Sequence, residues 1–144
     1  QHCEAVELGA ALEEGLSAHY AALKAGGITP DVTLPEQKII RTLDRNHFSR
    51  ILSNILGNAV KYSDGDLSVV LRENGEMVFS NAARDLTAVT AGKLFDRFFT
   101  VETGRGGAGL GLSIARLLTE RMGGSISSEY RDGRLFIRLR FDQP

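Results

Sequence analysis

Tryptophan is absent from this 144-residue chain, cysteine occurs once and proline three times. With Cys3 alone no internal disulfide can form, which points to a reducing compartment. Lys and Arg number 17 against 18 Asp and Glu, a net charge of −1, so no surface for nucleic acid is expected. No apolar run approaches the ~20 residues needed to cross a bilayer, and no signal peptide is visible. The chain is therefore read as soluble and cytoplasmic. It starts at Gln1 rather than Met, as a piece of a longer protein would, and a membrane anchor is left open for that other part. Hydrophobic residues at 42% and charged residues at 24% suit one globular domain over 1–144. Residues 1–5 are read as the remnant of an upstream linker.

Glycine is the residue that is not scarce, and five of the 16 fall between Gly104 and Gly111. Residues 104–113 read Gly-Arg-Gly-Gly-Ala-Gly-Leu-Gly-Leu-Ser and run straight into an amphipathic helix. Backbone without Cβ atoms can fold closely around an anion. The helix that follows begins with unpaired N–H groups and a positive dipole end. A phosphorylated ligand is the natural expectation. Gly104, Gly106 and Gly109 match a dinucleotide fingerprint, with Glu129 about 20 residues further on. The elements after the run make one helix and an antiparallel hairpin, however, not a parallel βαβ array, and Gly111 would fall inside the helix. No Gly-Lys-Ser or Gly-Lys-Thr follows, so the run is not a P-loop. A ligand-free flexible loop is the remaining alternative.

Elsewhere the periodicities are plain. Leu8, Leu12, Leu16, Tyr20 and Leu23 predict an amphipathic helix ending at Gly26-Gly27. Residues 28–36, with Pro30 and Pro35, predict loop and short extended pieces, and 38–42 a strand. Asp44 is placed to cap a helix reaching about Tyr62. Residues 67–71 and 77–80 predict strands joined at Asn74-Gly75, and 90–99 a short helix. A helix over about 110–122 is closed by Gly123-Gly124, and a second hairpin turns at Asp132-Gly133. In its last strand Leu135, Ile137, Leu139 and Phe141 share one face. The fold class is α+β, a two-layer sandwich with helices on one face of a mixed sheet.

The helix after Asp44 carries more polarity than folding needs. Phe48, Ile51, Leu52, Ile55, Leu56 and Ala59 make its buried face. Asn54, Asn58, Lys61 and Tyr62 are read as a neighbouring stripe. Asn is a poor residue mid-helix, because its amide competes for the backbone. Two amide oxygens one turn apart are hard neutral ligands, suited to a Mg²⁺ ion that phosphates and water also hold. Lys61 can neutralise phosphate oxygens, and Tyr62 can offer a flat face to a base or ribose. A solvated helix face is the plain alternative, which the glycine run downstream disfavours.

Taken together, these residues resemble the ATP-binding catalytic domain of sensor histidine kinases. The resemblance runs from about Val6 to Phe141 with the elements in the same order. Asn54-Ile-Leu-Gly-Asn58-Ala-Val-Lys61-Tyr62 looks like the family's N-box. Leu94-Phe95-Asp96-Arg97-Phe98-Phe99 looks like its F-box, and Gly107-Ala-Gly109-Leu-Gly111-Leu like its second glycine box. The resemblance implies a Bergerat-type sheet, mostly antiparallel, and the cofactors ATP and Mg²⁺. By it, Asn54 and Asn58 would hold Mg²⁺, Lys61 would contact phosphate and Tyr62 would pack near the adenine or ribose. Residues 100–108 would form a short ATP lid whose Arg105 contacts the γ-phosphate, with Arg97 a second candidate. Asn54, Lys61 and Arg105 would be the catalytic set. Leu86, Phe99, Gly107, Gly109, Leu110, Gly111 and Leu112 would complete the nucleotide site. Two departures stand out. The family's Asp-x-Gly-x-Gly box would fall on Asn81, Ala83 and Asp85, and Ala108 replaces a usual Thr or Ser. Asn81 can still accept a bond from the adenine amino group, less strongly than a carboxylate would.

Related ATPases, such as type II topoisomerases and mismatch-repair proteins, carry a Glu as general base four residues before the Mg²⁺-binding Asn. Here that position is Asn54, which cannot take a proton. Transfer to a histidine needs no such base, so the resemblance implies a protein-histidine kinase rather than a hydrolase. His2, His19 and His47 lack the family's phosphoacceptor surroundings. His19 and His47 are read as helix-surface residues and His2 as part of a frayed terminus. The acceptor would then lie on a dimerisation helical domain outside this chain, with a response regulator as the next partner. Hydrolysis, or nucleotide sensing without catalysis, are the alternatives.

Overall fold

A computed structural model describes residues 2–96 and 111–142. The chain runs β1 (Cys3–Glu7), α1 (Leu8–Ala18), α2 (Tyr20–Ala25), β2 (Thr29–Thr33), β3 (Ile40–Asp44), α3 (Arg45–Tyr62), β4 (Asp66–Leu71) and β5 (Met77–Ala82). Then come α4 (Ala88–Ala91), α5 (Gly111–Arg121), β6 (Ser125–Arg131) and β7 (Arg134–Arg140). Five strands form one sheet in the order β2-β4-β5-β7-β6, and β1 pairs with β3 in a separate ribbon. Among the described strands only β2–β4 is parallel, and the other pairs are antiparallel. This is the expected mixed, mostly antiparallel sheet.

Register explains which side the helices cover. Met77 faces Leu139, Phe79 faces Ile137 and Asn81 faces Leu135. Alternation sends these residues, with Leu67, Val69 and Leu71, to one face. All are buried, and they join Phe48, Ile51, Ile55, Leu112 and Ala115 from α3 and α5 in a single core. Asn81 is the polar member of that inward row, 4% exposed.

Several elements differ from the sequence reading. Cys3–Glu7 pair with β3, where no element is expected. The first helix breaks at His19 into two, and Tyr20, counted above with the apolar face, is 60% exposed. The helix expected over 90–99 is earlier and shorter among the described residues. A Thr87–Thr90 capping box starts α4, and Gly92 ends it.

Asp44 joins the start of the chain to α3. Its Oδ1 accepts from the His47 N–H at 3.0 Å, as the expected cap, and its Oδ2 accepts from the His2 N–H at 2.8 Å. His2 is therefore held, not frayed. The His47 and His2 backbone N–H groups keep the Asp44 carboxyl below the usual carboxylate range. A depressed folded value means stability that is present above the unfolded value of about 4 and lost as pH falls through the folded one. Asp44→Asn should therefore be less stable than the parent at pH 7. The two should converge in acid, below the folded value. Urea unfolding at a series of pH values checks this; a constant gap down to the lowest pH would refute it. An acid slope should survive in the variant. Burial pushes the Asp66 carboxyl up, but the Ala82 N–H and Arg134 outweigh it and hold Asp66 low. Arg138 and Arg131 hold Glu129 low.

Candidate functional site

Helix α3 is a long amphipathic rod with its apolar face on the sheet and two distinct flanks. Phe48, Ile51, Leu52, Ile55, Leu56, Ala59 and Tyr62 are its buried residues. Tyr62 thus belongs to the core side, at 7% exposure, and not to the polar stripe. It stands seven residues, two helical turns, beyond Ile55, which carries it back to the same side. The Lys61 ammonium lies 5.4 Å from the Tyr62 ring centroid, so the two remain neighbours.

Asn54 and Asn58 do share a flank, and both are anomalous. Among the described residues, the Nδ2 atom of each is buried without a hydrogen-bond partner. A buried, unpaired amide costs about 1–3 kcal/mol, so a native fold keeps one for a reason. A half-turn about the last side-chain bond exchanges Nδ2 for Oδ1. The same two positions can therefore present donors to phosphate oxygens or hard oxygens to a divalent cation. Among the described residues no group of three His, Cys, Asp or Glu could hold a metal ion. Any cation here would be held by these amides together with the oxygens of its ligand.

The far wall of this flank is the start of α5. A Cβ built on Gly111 would lie 3.8 Å from the Asn54 Cβ and 3.9 Å from the Asn54 carbonyl oxygen. The end of the glycine run therefore rests against the first of the two asparagines. Its next residue, Leu112, is buried beneath at 5% exposure. At the end of β5, the Asn81 Nδ2 donates to the Ala82 carbonyl at 3.1 Å, which leaves its Oδ1 as the atom to offer a ligand's amino group. Leu86 is buried in the turn after β5, its N–H donating to the Ala83 carbonyl. Arg97, Phe99, Arg105, Gly107, Gly109, Leu110 and the expected lid lie outside the described residues.

Comparisons with known proteins give the family. The family model described as "Histidine kinase-, DNA gyrase B-, and HSP90-like ATPase" matches residues 43–144. The chain belongs to this ATPase family. Within the family its sequence sits with the sensor kinases. It is 30% identical over 134 residues to "Sensor histidine kinase component HK1" of Mycobacterium tuberculosis, covering 88% of this chain and 79% of that one. It is 27% identical to "Sensor protein VanSC" of Enterococcus gallinarum over 76% of this chain but only 32% of that protein. Two other sensor histidine kinases are matched over 38% and 18% of their length. The chain thus spans a minor part of these three relatives. The nucleotide-free catalytic domain of histidine kinase ThkA superposes with a TM-score of 0.82 at 19% identity, over the whole of both chains. That agreement shows the fold, and the sequence relatives show a histidine-kinase type of ATP-binding catalytic domain.

His19 and His47 are not the surface residues expected. The His19 ring is half-buried and bridges α1 to α3, and His47 Nδ1 is wholly buried, 4.0 Å from Asp44 Oδ2. Nothing in the apolar periodicity signals either position.

Proposed function

We propose that this domain binds Mg·ATP between the Asn54–Asn58 flank of α3 and the start of α5. It then presents the γ-phosphoryl group to a histidine on a separate helical dimerisation domain of its parent. The observation that carries this is the pair of buried Nδ2 atoms, unpartnered among the described residues, with Asn54 set against Gly111. Asn54 and Asn58 would hold Mg²⁺, which supplies neutralisation of charge on the phosphate oxygens. Lys61 and Arg105 add positive charge, and the N-terminus of α5 adds unpaired N–H groups. Leu86, Leu110 and Leu112 give the base apolar contact, with Phe99 and Tyr62 beside it. Asn81 Oδ1 accepts from the adenine amino group. Phosphoryl transfer needs mainly positioning and charge neutralisation, and this set supplies both. Asn54 stands where a hydrolase needs a base, and its amide cannot take a proton. This favours transfer over hydrolysis.

The partners follow from that reading: the phosphoacceptor helical domain of the same kinase, and then a response regulator. No described helix is long and apolar enough to cross a membrane. We place the domain in the cytoplasm, on a parent that is itself soluble or membrane-anchored.

The test is to join this domain to a phosphoacceptor helical hairpin and measure acid-labile phosphate after adding labelled ATP. Labelling that requires Mg²⁺ is expected, with slow or no hydrolysis by the isolated domain. Rapid turnover by the isolated domain would make it an ATPase instead. Nucleotide binding with no labelling would favour a sensing module, a second reading motivated by Asn81, Ala83 and Asp85 in place of the first glycine box.

A further inference from the structure

His19 sits where α1 ends, and its ring is hydrogen-bonded on both sides. Nδ1 is 2.9 Å from the Gly15 carbonyl oxygen, and Nε2 is 3.0 Å from Ser53 Oγ. A carbonyl can only accept, so Nδ1 carries the proton. In the neutral ring Nε2 then accepts from the Ser53 hydroxyl. Ser53 precedes Asn54 on α3, one residue and about 100° around the helix. The flank that bears Leu52 and Ser53 faces α1, while the flank with Asn54 faces α5.

Packing on the α1 side is incomplete. A Cβ on Gly15 would lie 3.0 Å from Leu52 Cδ1, so the helices approach closely there. Beside that contact lies an open groove lined by Gly15, Ala18, Phe48, Ser49 and Leu52. The buried face of α3 seats it on the sheet, and the open groove leaves its roll less restrained on the α1 side. A directional bond from Ser53 does fix it. Rotating α3 would carry Asn54 away from Gly111 and turn Asn58 with it, because Ser53, Asn54 and Asn58 share the axis of α3.

We infer that His19 and Ser53 are positioning residues for the nucleotide site: their bond sets the roll of α3 and so aims Asn54 and Asn58. The inference rests on the proposed function for its consequence, but not for its geometry. Two readouts separate the two. The first is the side-chain NH₂ resonances of Asn54 and Asn58 in the nucleotide-free domain. They should move in Ser53→Ala and His19→Ala and stay in place in Ser53→Thr, which keeps the hydroxyl. Ser49→Ala, on the same flank outside the bridge, should leave them unmoved. The second readout is Mg·ADP affinity by calorimetry. Ser53→Ala should weaken binding by up to about fivefold, the worth of one hydrogen bond, and His19→Ala, which also loses the bond to Gly15, at least as much. The double variant should be no worse than His19→Ala alone, since that change already removes the bond to Ser53. Unmoved asparagine resonances, or losses that multiply in the double variant, would overturn the inference. If the parent domain itself bound no Mg·ADP, the proposed function would fail. The resonances would still decide the role of the bridge.

Discussion

Asn58→Ala should lose the Mg²⁺-dependent response to ATP and yet fold at least as well as the parent. These effects have opposite signs, which is what distinguishes a ligand-binding amide from a structural one. Nucleotide at about 100 times its dissociation constant adds about 2.7 kcal/mol of stability to the parent. If removing one cation ligand weakens binding a hundredfold, the same concentration adds only about 0.4 kcal/mol to the variant. Meanwhile the nucleotide-free fold sheds a buried donor that has no partner among the described residues. That relief, on the order of 1 kcal/mol, is joined by the better helix propensity of alanine. It is offset in part by the small void left behind. A thermal scan with and without Mg·ATP reads both quantities. The expected result is a nucleotide-free melting temperature raised by about 3 °C or unchanged, and a ligand shift reduced to near zero. A variant that melts well below the parent without nucleotide, while keeping its Mg²⁺-dependent shift, would make Asn58 a structural residue and remove the basis for the site.

How far the site was legible depends on what kind of force places each residue. Asn54 and Asn58 could be read because they are costly mid-helix and recur at one-turn spacing, so the anomaly is local. Tyr62 was read with the polar stripe as part of its next turn, beside Lys61. Its angular position, two turns from Ile55, puts the ring in the core. His19 could not be read at all. The apolar spacing runs on from Leu16 to Tyr20 and Leu23, while the ring at the break bonds to a residue 34 positions away. The same division holds for the fold. Both hairpins were visible in their Asn-Gly and Asp-Gly turns, and Asp132 and Gly133 do take positive φ values of 53° and 74°. β1 was invisible because Val6 alone of its five residues is buried, so no alternation shows. β2 contains Pro30, which reads as loop; as an edge strand with one neighbour it tolerates a residue that lacks an N–H.

The two glycines after α5 look alike in sequence and should answer differently to the same substitution. Gly123 closes the helix with φ of 78° and has nothing within 4 Å of where a Cβ would stand. Alanine there should cost about 1–2 kcal/mol, the penalty of a left-handed backbone alone. Gly124 is needed for space. A Cβ at that position would lie 2.5 Å and 2.6 Å from Cδ1 and Cε1 of Phe141, and 2.7 Å from the Arg140 carbonyl oxygen. Phe141 cannot give way easily. It is 2% exposed and packs edge-on against Phe48 of α3, with ring centroids 6.1 Å apart. The Arg140 oxygen is backbone at the end of β7 and moves only with the strand. Gly124→Ala should therefore cost at least about 3 kcal/mol, the upper range for overpacking. In a domain whose whole stability is about 5–15 kcal/mol, that lowers the melting temperature by about 10 °C. Shortening the ring with Phe141→Leu should recover only part of the loss in the double variant, because the clash with the Arg140 oxygen remains. Since Phe141 bears on α3 through Phe48, the displacement reaches the helix that carries Asn54 and Asn58. Denaturant unfolding of both glycine variants is the check. Equal costs at 123 and 124 would show that α5 and β7 are not packed as closely as these contacts require.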